Sequence, residues 1–235
     1  MAGSRQKAQA MILAGEIEVD GKRAEKAGLN VQESSRIAVH SRIQKYVSRG
    51  GFKLEGALED FRVEVQGRVC VDIGSSTGGF TDCLLQGGAA RVCAIDVNTE
   101  QLAWKVHEDR RVVRIEKNAR ELMRRDIADD VDLVVIDVSF ISVRKVLPGA
   151  VECAKEGSDL LILVKPQFEL ERKDVGKGGI VRDTKLHEKA IASVRSAAED
   201  LGLQVLAAAT SRLTGAEGNQ EYFLHARKMP KVESQ

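Results

Sequence analysis

The chain has 235 residues and a mass of 25.7 kDa, with 43% apolar and 30% charged residues. At roughly 100–200 residues per domain this is one full domain plus a smaller one, with enough apolar material for a sizeable core, and wholesale disorder is excluded. No run approaches the roughly 18–20 apolar residues that cross a bilayer, and the opening MAGSRQKAQA lacks the apolar stretch of a signal peptide, so a cytoplasmic protein without a membrane span is expected.

Residues 1 to 53 carry ten Lys/Arg against five Asp/Glu, although the whole chain nets only +1. A basic lobe on a mildly acidic body suits a polyanion-binding arm, because neutralised phosphates release counterions, and equally suits an ordinary solvated face. The first fifty residues read as a small α+β module. Over residues 4 to 14, Ala8, Met11 and Ile12 share one helical face while Arg5 and Lys7 lie opposite. Asp20-Gly21 between short extended runs then predicts a hairpin, since a primed turn needs positive φ at its centre. The stretch SRQKAQAMILAGEIEVDG resembles the S4 RNA-binding motif, which grips structured RNA with a basic helix and the hairpin after it. That resemblance makes Arg5, Lys7 and Lys22 candidate RNA contacts. S4 modules ordinarily begin one helix earlier, so the module at residues 1 to 45 is expected to lack its first helix.

The boundary falls around residues 42 to 48, leaving 46 to 235 as the larger domain. YVSRGGFKLEGALEDF (46 to 61) predicts a basic, glycine-rich turn and a short helix with Leu54, Leu58 and Phe61 on one face. Strand-like and helical stretches then alternate. Apolar runs occur at 69–74, 91–97, 111–115, 131–140, 159–166, 203–210 and 221–227, with helical stretches near 83–85, 102–106, 143–154 and 185–201. Continuous apolar strands between helices predict a doubly wound α/β sheet covered on both faces. The last two strands have no helix between them and should form an antiparallel hairpin at one end. Cys70, Cys83, Cys93 and Cys153 show no CxxC spacing and read as buried thiols, and the four histidines are scattered, so no metal is expected.

VDIGSSTGGF (71 to 80) is a strand that ends in an acidic residue, turns on glycines and opens a helix. Asp72, Gly74, Ser75, Thr77, Gly78, Gly79 and Phe80 are therefore candidate cofactor residues, the alternative being a tight turn and nothing more. Asp96, twenty-two residues after Gly74, ends the second strand beside Val97, where a carboxylate accepts the hydroxyls of an adenosine ribose. Asn118 suits either the adenine edge or a helix N-cap. GxGxxG is absent, and a carboxylate beside the loop suits the ammonium and sulfonium of S-adenosylmethionine better than a pyrophosphate.

Lys53, Asp137, Lys165 and Glu221 fall where such a fold exposes side chains on the ligand-binding rim of its sheet. Together RGGFKL, DIGSSTGGF, DVSFIS, LVKPQFE and GNQEYF resemble the TlyA (haemolysin A) family, which joins an S4 module to an FtsJ-like methyltransferase domain. The resemblance implies a seven-stranded Rossmann-like methyltransferase, S-adenosylmethionine as cofactor and 2′-O-methylation of ribosomal RNA, on naked RNA or ribosomal subunits. The family's Lys-Asp-Lys-Glu tetrad matches Lys53, Asp137, Lys165 and Glu221.

A ribose hydroxyl is a weak nucleophile that benefits from a placed base, and a lysine at its usual pKa of about 10.4 is protonated. Desolvation and a second ammonium lower a lysine's pKa, whereas neighbouring carboxylates raise it, and sequence does not fix the balance. Lys165 is the expected base, Asp137 its orienting partner, and Lys53 with Glu221 the ribose-positioning pair. Arg49 and, in ERKDVGKGGIVRD (171 to 183), Arg172, Lys173 and Lys177 are candidate phosphate contacts; that segment reads as a closing loop or plain surface. Phe140 and Phe168 read as base-stacking or pocket-wall residues. A base N-methyltransferase and a non-catalytic RNA-binding protein are the rival readings.

Overall fold

The computed structural model describes residues 8, 9, 12, 17–24, 26–32, 34–39, 45–215 and 217–230. It divides into two compact units, Met1–Lys45 and Tyr46–Gln235. In the first, β1 (Ile17–Val19) lies between β2 (Lys22–Arg23) and β3 (Ile37–Val39), antiparallel to both. Asp20 and Gly21 sit at φ 51° and 77°, the positive values the primed turn demands. The Asp20 carboxylate then accepts from the Arg36 backbone N–H at 2.7 Å, tying the third strand to the turn. Lys22 is exposed on β2, and the described residues of the expected first helix, Ala8, Gln9 and Ile12, are helical. Arg5 and Lys7 lie outside the described residues.

The second unit opens with α1 (Arg49–Phe61) and is built on a seven-stranded sheet in the order β6-β5-β4-β7-β8-β10-β9. The strands β4 (Val69–Ile73), β5 (Arg91–Asp96), β6 (Val112–Glu116), β7 (Val131–Ile136) and β8 (Ala154–Val164) are parallel. β10 (Tyr222–Lys228) inserts antiparallel between β8 and β9 (Leu203–Thr210), which gives the expected terminal hairpin. Strand alternation feeds two cores. Val71, Ile73, Val134 and Ile136 face α4 (Leu147–Cys153) and α6 (Thr184–Asp200), whereas Cys70, Leu133, Val135 and Phe223 face α1 and α2 (Gly79–Gln86). Fully burying each such side chain contributes about 1.5–3 kcal/mol, which is why these strands read as largely apolar runs broken only at single charged or polar positions. All four cysteines are buried thiols, as their apolar settings suggest.

Three elements depart from the sequence expectation. The helix near 102–106 is only one turn, α3 (Trp104–His107), because Leu102 and Ala103 are extended after a 3-10 turn at Thr99–Gln101. That expected over 143–154 is a 3-10 turn, Val143–Lys145, followed by α4, whose first turn holds Pro148. β8 starts at Ala154 rather than 159, its polar Lys155-Glu156-Gly157 exposed and its register shifted against β7. The Ser158 hydroxyl, donating to the Val131 carbonyl at 2.6 Å, pins that irregular start. Among the described residues no helix is long and apolar enough to cross a membrane.

Candidate active site

The strand order reverses at β4, between β5 and β7, and open α/β sheets hold ligands at such a switch point, off the carboxyl ends of the strands. There the chain turns at Gly74, at φ 86°, and a Cβ on it would lie 2.3 Å from the Asp137 carbonyl oxygen. Only glycine lets the loops after β4 and β7 touch in this way. The N–H groups of Gly74 and Ser75 donate to the Ile95 carbonyl, and that of Asp137 to Ile73, so three strand ends are knitted together.

A cavity of about 400 Å³ opens beside this junction, walled in part by Gly74, Asp96, Val97, Asn118, Asp137 and Ile141. Its size and its mix of apolar wall and few polar groups suit a small-molecule cofactor. Asp96 Oδ2 accepts from the Ser76 N–H at 2.9 Å and its Oδ1 from Asn98 N and Gln101 Nε2, so the carboxylate shapes the loop besides facing the cavity. Asn118 lines the cavity, and its side chain accepts from Arg120 N as an N-cap.

A smaller lobe of about 170 Å³ shares Gly74 and Asp137 and is lined also by Ser75, Thr77, Gly79, Arg49 and Lys53. Phe80 borders it, but its side chain is buried and stacked on Phe223 at 6.1 Å. Gly78 (φ 91°) faces Leu102 and Val106. Asp72 lies wholly buried beneath the loop, its Oδ2 accepting from the Thr81 hydroxyl at 2.6 Å and its Oδ1 without a hydrogen bond. Burial, helped by the charges of Asp137 and Asp96 and opposed by the Thr81 bonds, pushes its carboxyl up to about 7. The buried Ser75 hydroxyl also lacks a partner. Two unsatisfied polar atoms under one glycine loop suit a bound group with donors of its own.

Two lysine–carboxylate pairs stand at this rim. Lys53, on α1, places Nζ 2.5 Å from Glu221 Oε2, and both side chains are buried. Glu221 is set by its carbonyl accepting from Ser211 N, and a Cβ on Gly215 would come within 2.7 Å of its carboxylate. Lys165, buried just past β8, places Nζ 2.5 Å from Asp137 Oδ1 and donates to Ser139 Oγ at 2.7 Å. Asp137 Oδ1 accepts no aligned hydrogen bond despite that short approach, so its hold on Lys165 is coulombic. Lys53 and Asp137 line the same lobe.

The basic segment after α5 (Pro166–Glu169) forms 3-10 turns at Arg172–Asp174 and Lys177–Gly179, with Arg172, Lys173 and Lys177 exposed and Lys173 paired to Glu171. The buried Asn219 clasps it, donating to the Gly179 carbonyl and accepting from Val181 N, both at 2.9 Å. His187 adds a contact from Nε2 to the Val181 carbonyl and from Nδ1 to the Tyr222 hydroxyl. Arg49 donates to the Thr214 carbonyl. Phe140 is 89% exposed at φ 67°, its ring 5.5 Å from that of Phe168. Glu169 fixes the segment following it by accepting from Val143 N and Ser142 Oγ. Trp104, the single tryptophan, is 79% exposed and follows Ala103, whose N–H donates to Thr77 of the glycine loop.

Sequence reasoning missed Ser76, Ser139, Glu169 and Asn219. Lone serines in loops carry no periodic signal; Glu169 and Asn219 belong to the LVKPQFE and GNQEYF motifs, but nothing in their spacing marks them as clamps. Among the described residues no group of three or more His, Cys, Asp or Glu could hold a metal ion.

A seven-stranded sheet with one antiparallel insertion, a glycine loop at its switch point and an acidic end to the next strand define a Rossmann-like methyltransferase. The FtsJ-like methyltransferase model matches residues 46–228 and the S4 domain model residues 1–37. The chain is 46% identical over 97% of its length to 85% of the "16S/23S rRNA (cytidine-2'-O)-methyltransferase TlyA" of Mycobacterium tuberculosis. It is 43% identical over 94% of its length to 93% of "Hemolysin A" of Brachyspira hyodysenteriae. A solved Streptococcus thermophilus structure, described as that of a hemolysin, matches with a TM-score of 0.80 and 38% identity, covering 97% of this chain and 84% of that one. The chain belongs to the TlyA (haemolysin A) family of FtsJ-like methyltransferases.

Proposed function

We propose that the protein methylates a ribose 2′-hydroxyl of ribosomal RNA, with S-adenosylmethionine as methyl donor and the cytoplasm as the compartment this implies. The observation that carries the reading is the pair of lysine–carboxylate contacts, Lys53–Glu221 and Lys165–Asp137, on strand ends and a helix that also wall a cofactor-sized cavity. The names of the TlyA relatives support the choice of substrate.

S-adenosylmethionine, when bound, supplies an electrophilic methyl on sulfonium that departs from a neutral thioether. In this reading Asp96, Val97 and Asn118 hold its adenosine end, Gly74, Ser75, Thr77 and Gly79 its amino-acid end, and Asp72 offers the loop a buried acceptor. Lys165 takes the proton of the attacking hydroxyl, Asp137 directs Lys165 toward it, and Lys53 with Glu221 fixes the ribose. Positioning the hydroxyl in line with the methyl and removing its proton are the two contributions the chain makes, the second worth about 10²–10⁴ in rate. Arg49, Arg172, Lys173, Lys177 and, on the S4 module, Arg5, Lys7 and Lys22 supply phosphate contacts.

The test incubates the protein with labelled S-adenosylmethionine and unmodified ribosomal subunits, then digests the RNA to nucleosides. A labelled 2′-O-methylnucleoside supports the reading; an N-methylated base, or no transfer, overturns it. Lys165→Ala should lower turnover by about 10³-fold while leaving cofactor affinity within about threefold of wild type.

A further inference from the structure

We infer that Ser139 is a positioning residue for the reaction, holding the Lys165 amine through its whole protonation cycle; the inference rests on the role given to Lys165 above. The Lys165 Nζ donates to Ser139 Oγ at 2.7 Å, whereas its 2.5 Å approach to Asp137 Oδ1 is not an aligned hydrogen bond. Direction therefore comes from the serine and charge from the aspartate.

The local backbone sets both groups on the lysine. Asp137 and Ser139 flank Val138, which is 8% exposed and packs into the core, so the residues on either side of it both meet Lys165. Just beyond, the backbone reverses at Phe140 with φ 67°, and Glu169 grips Ser142 and Val143. Ser139 thus sits on a braced segment. Unlike Lys165, which is 7% exposed, it is open to the 400 Å³ cavity that it helps to wall.

The chemistry favours a hydroxyl at this point. A carboxylate holds an ammonium chiefly by charge and loses most of that hold when the amine is neutral. A serine oxygen accepts from one N–H of the amine in either protonation state, since a neutral amine keeps two N–H groups, and so leaves the lone pair free for the ribose hydroxyl. A base that must be neutral before the methyl moves and charged afterwards is then held by one uncharged acceptor in both states, with its lone pair directed at the hydroxyl. Ser139 adds no charge, and so leaves the balance between Asp137 and the two lysines intact.

Wild type, Ser139→Ala and Ser139→Thr should be compared in single-turnover methyl transfer, with cofactor affinity by calorimetry and the KM for ribosomal subunits measured in parallel. The alanine variant should lose about tenfold or more in rate, as a misdirected base does, with cofactor affinity and KM within about twofold of wild type. Threonine, which restores the hydroxyl, should recover most of the rate. An unchanged rate in Ser139→Ala overturns the inference, as does a loss that threonine does not recover or one that appears in KM or cofactor affinity. Wild type keeps the two readings separate: if it makes no 2′-O-methylnucleoside, the proposed function fails, whatever the variants do.

Discussion

Asp72 and Lys165 are both buried ionisable groups under one rim, yet they are satisfied very differently. Lys165 has a carboxylate and a hydroxyl, while Asp72 has one hydroxyl and an empty oxygen. A carboxyl whose folded value is raised from 3.8 to about 7, chiefly by burial, favours the protonated state of the folded chain. Its contribution to stability is fully present below about pH 4 and is lost as pH rises toward and through 7. A neutral, isosteric Asp72→Asn does not titrate. Thermal unfolding of the two proteins should therefore show the variant gaining on wild type by several kcal/mol between pH 4.5 and pH 8, on the order of 1.4 kcal/mol for each pH unit crossed below the folded value. A gap independent of pH would refute the assignment.

Elements built from apolar strands were legible in advance because burial on both faces leaves little room for polar interruption, as in Leu133 to Ile136 or Leu160 to Val164. The early start of β8 was not, since Lys155-Glu156-Gly157 carries every mark of a loop and is anchored by the Ser158 hydroxyl and a Lys155–Asp132 ion pair that spacing does not announce. Asp137 and Lys165 were legible as charged types closing apolar strands, and Lys53 and Glu221 through the motifs that hold them. That Lys53 would meet Glu221, 168 residues away, came from the family resemblance and not from periodicity, which does not encode the strand order that brings them together. Nor was the clasp on the basic segment legible, in which the buried Asn219 bonds two backbone groups and His187 a third. Asn219→Asp keeps the acceptor but loses the donor to Gly179. In limited trypsin digestion it should be cut after Arg172, Lys173 and Lys177 about tenfold faster than wild type, as local opening costs on the order of 1.4 kcal/mol less. Equal digestion would show that the segment is held elsewhere.

Across the whole molecule the two ends of the sheet behave oppositely toward acid. At the amino end, remote from the glycine loop, the buried Asp159 accepts from His225, Arg68 and Arg227. Burial alone would raise its carboxyl, but these three donors more than offset that and hold it well below the usual carboxylate range. Its stabilisation is present above about pH 4, the unfolded value, and is lost as pH falls. Asp159→Asn should cost about 3 kcal/mol or more at pH 7 by urea unfolding, because it strands buried donors and breaks a partly buried ion cluster, and the deficit should shrink below pH 4. A deficit that grows on acidification would contradict this picture.

One indole in the entire polypeptide, that of Trp104, stands in solvent a single peptide unit past the backbone that leans on Thr77. Intrinsic tryptophan emission from this protein is therefore a local signal. With no second indole to dilute it, tryptophan emission reads the surroundings of Trp104 alone, and no dye or label has to be introduced.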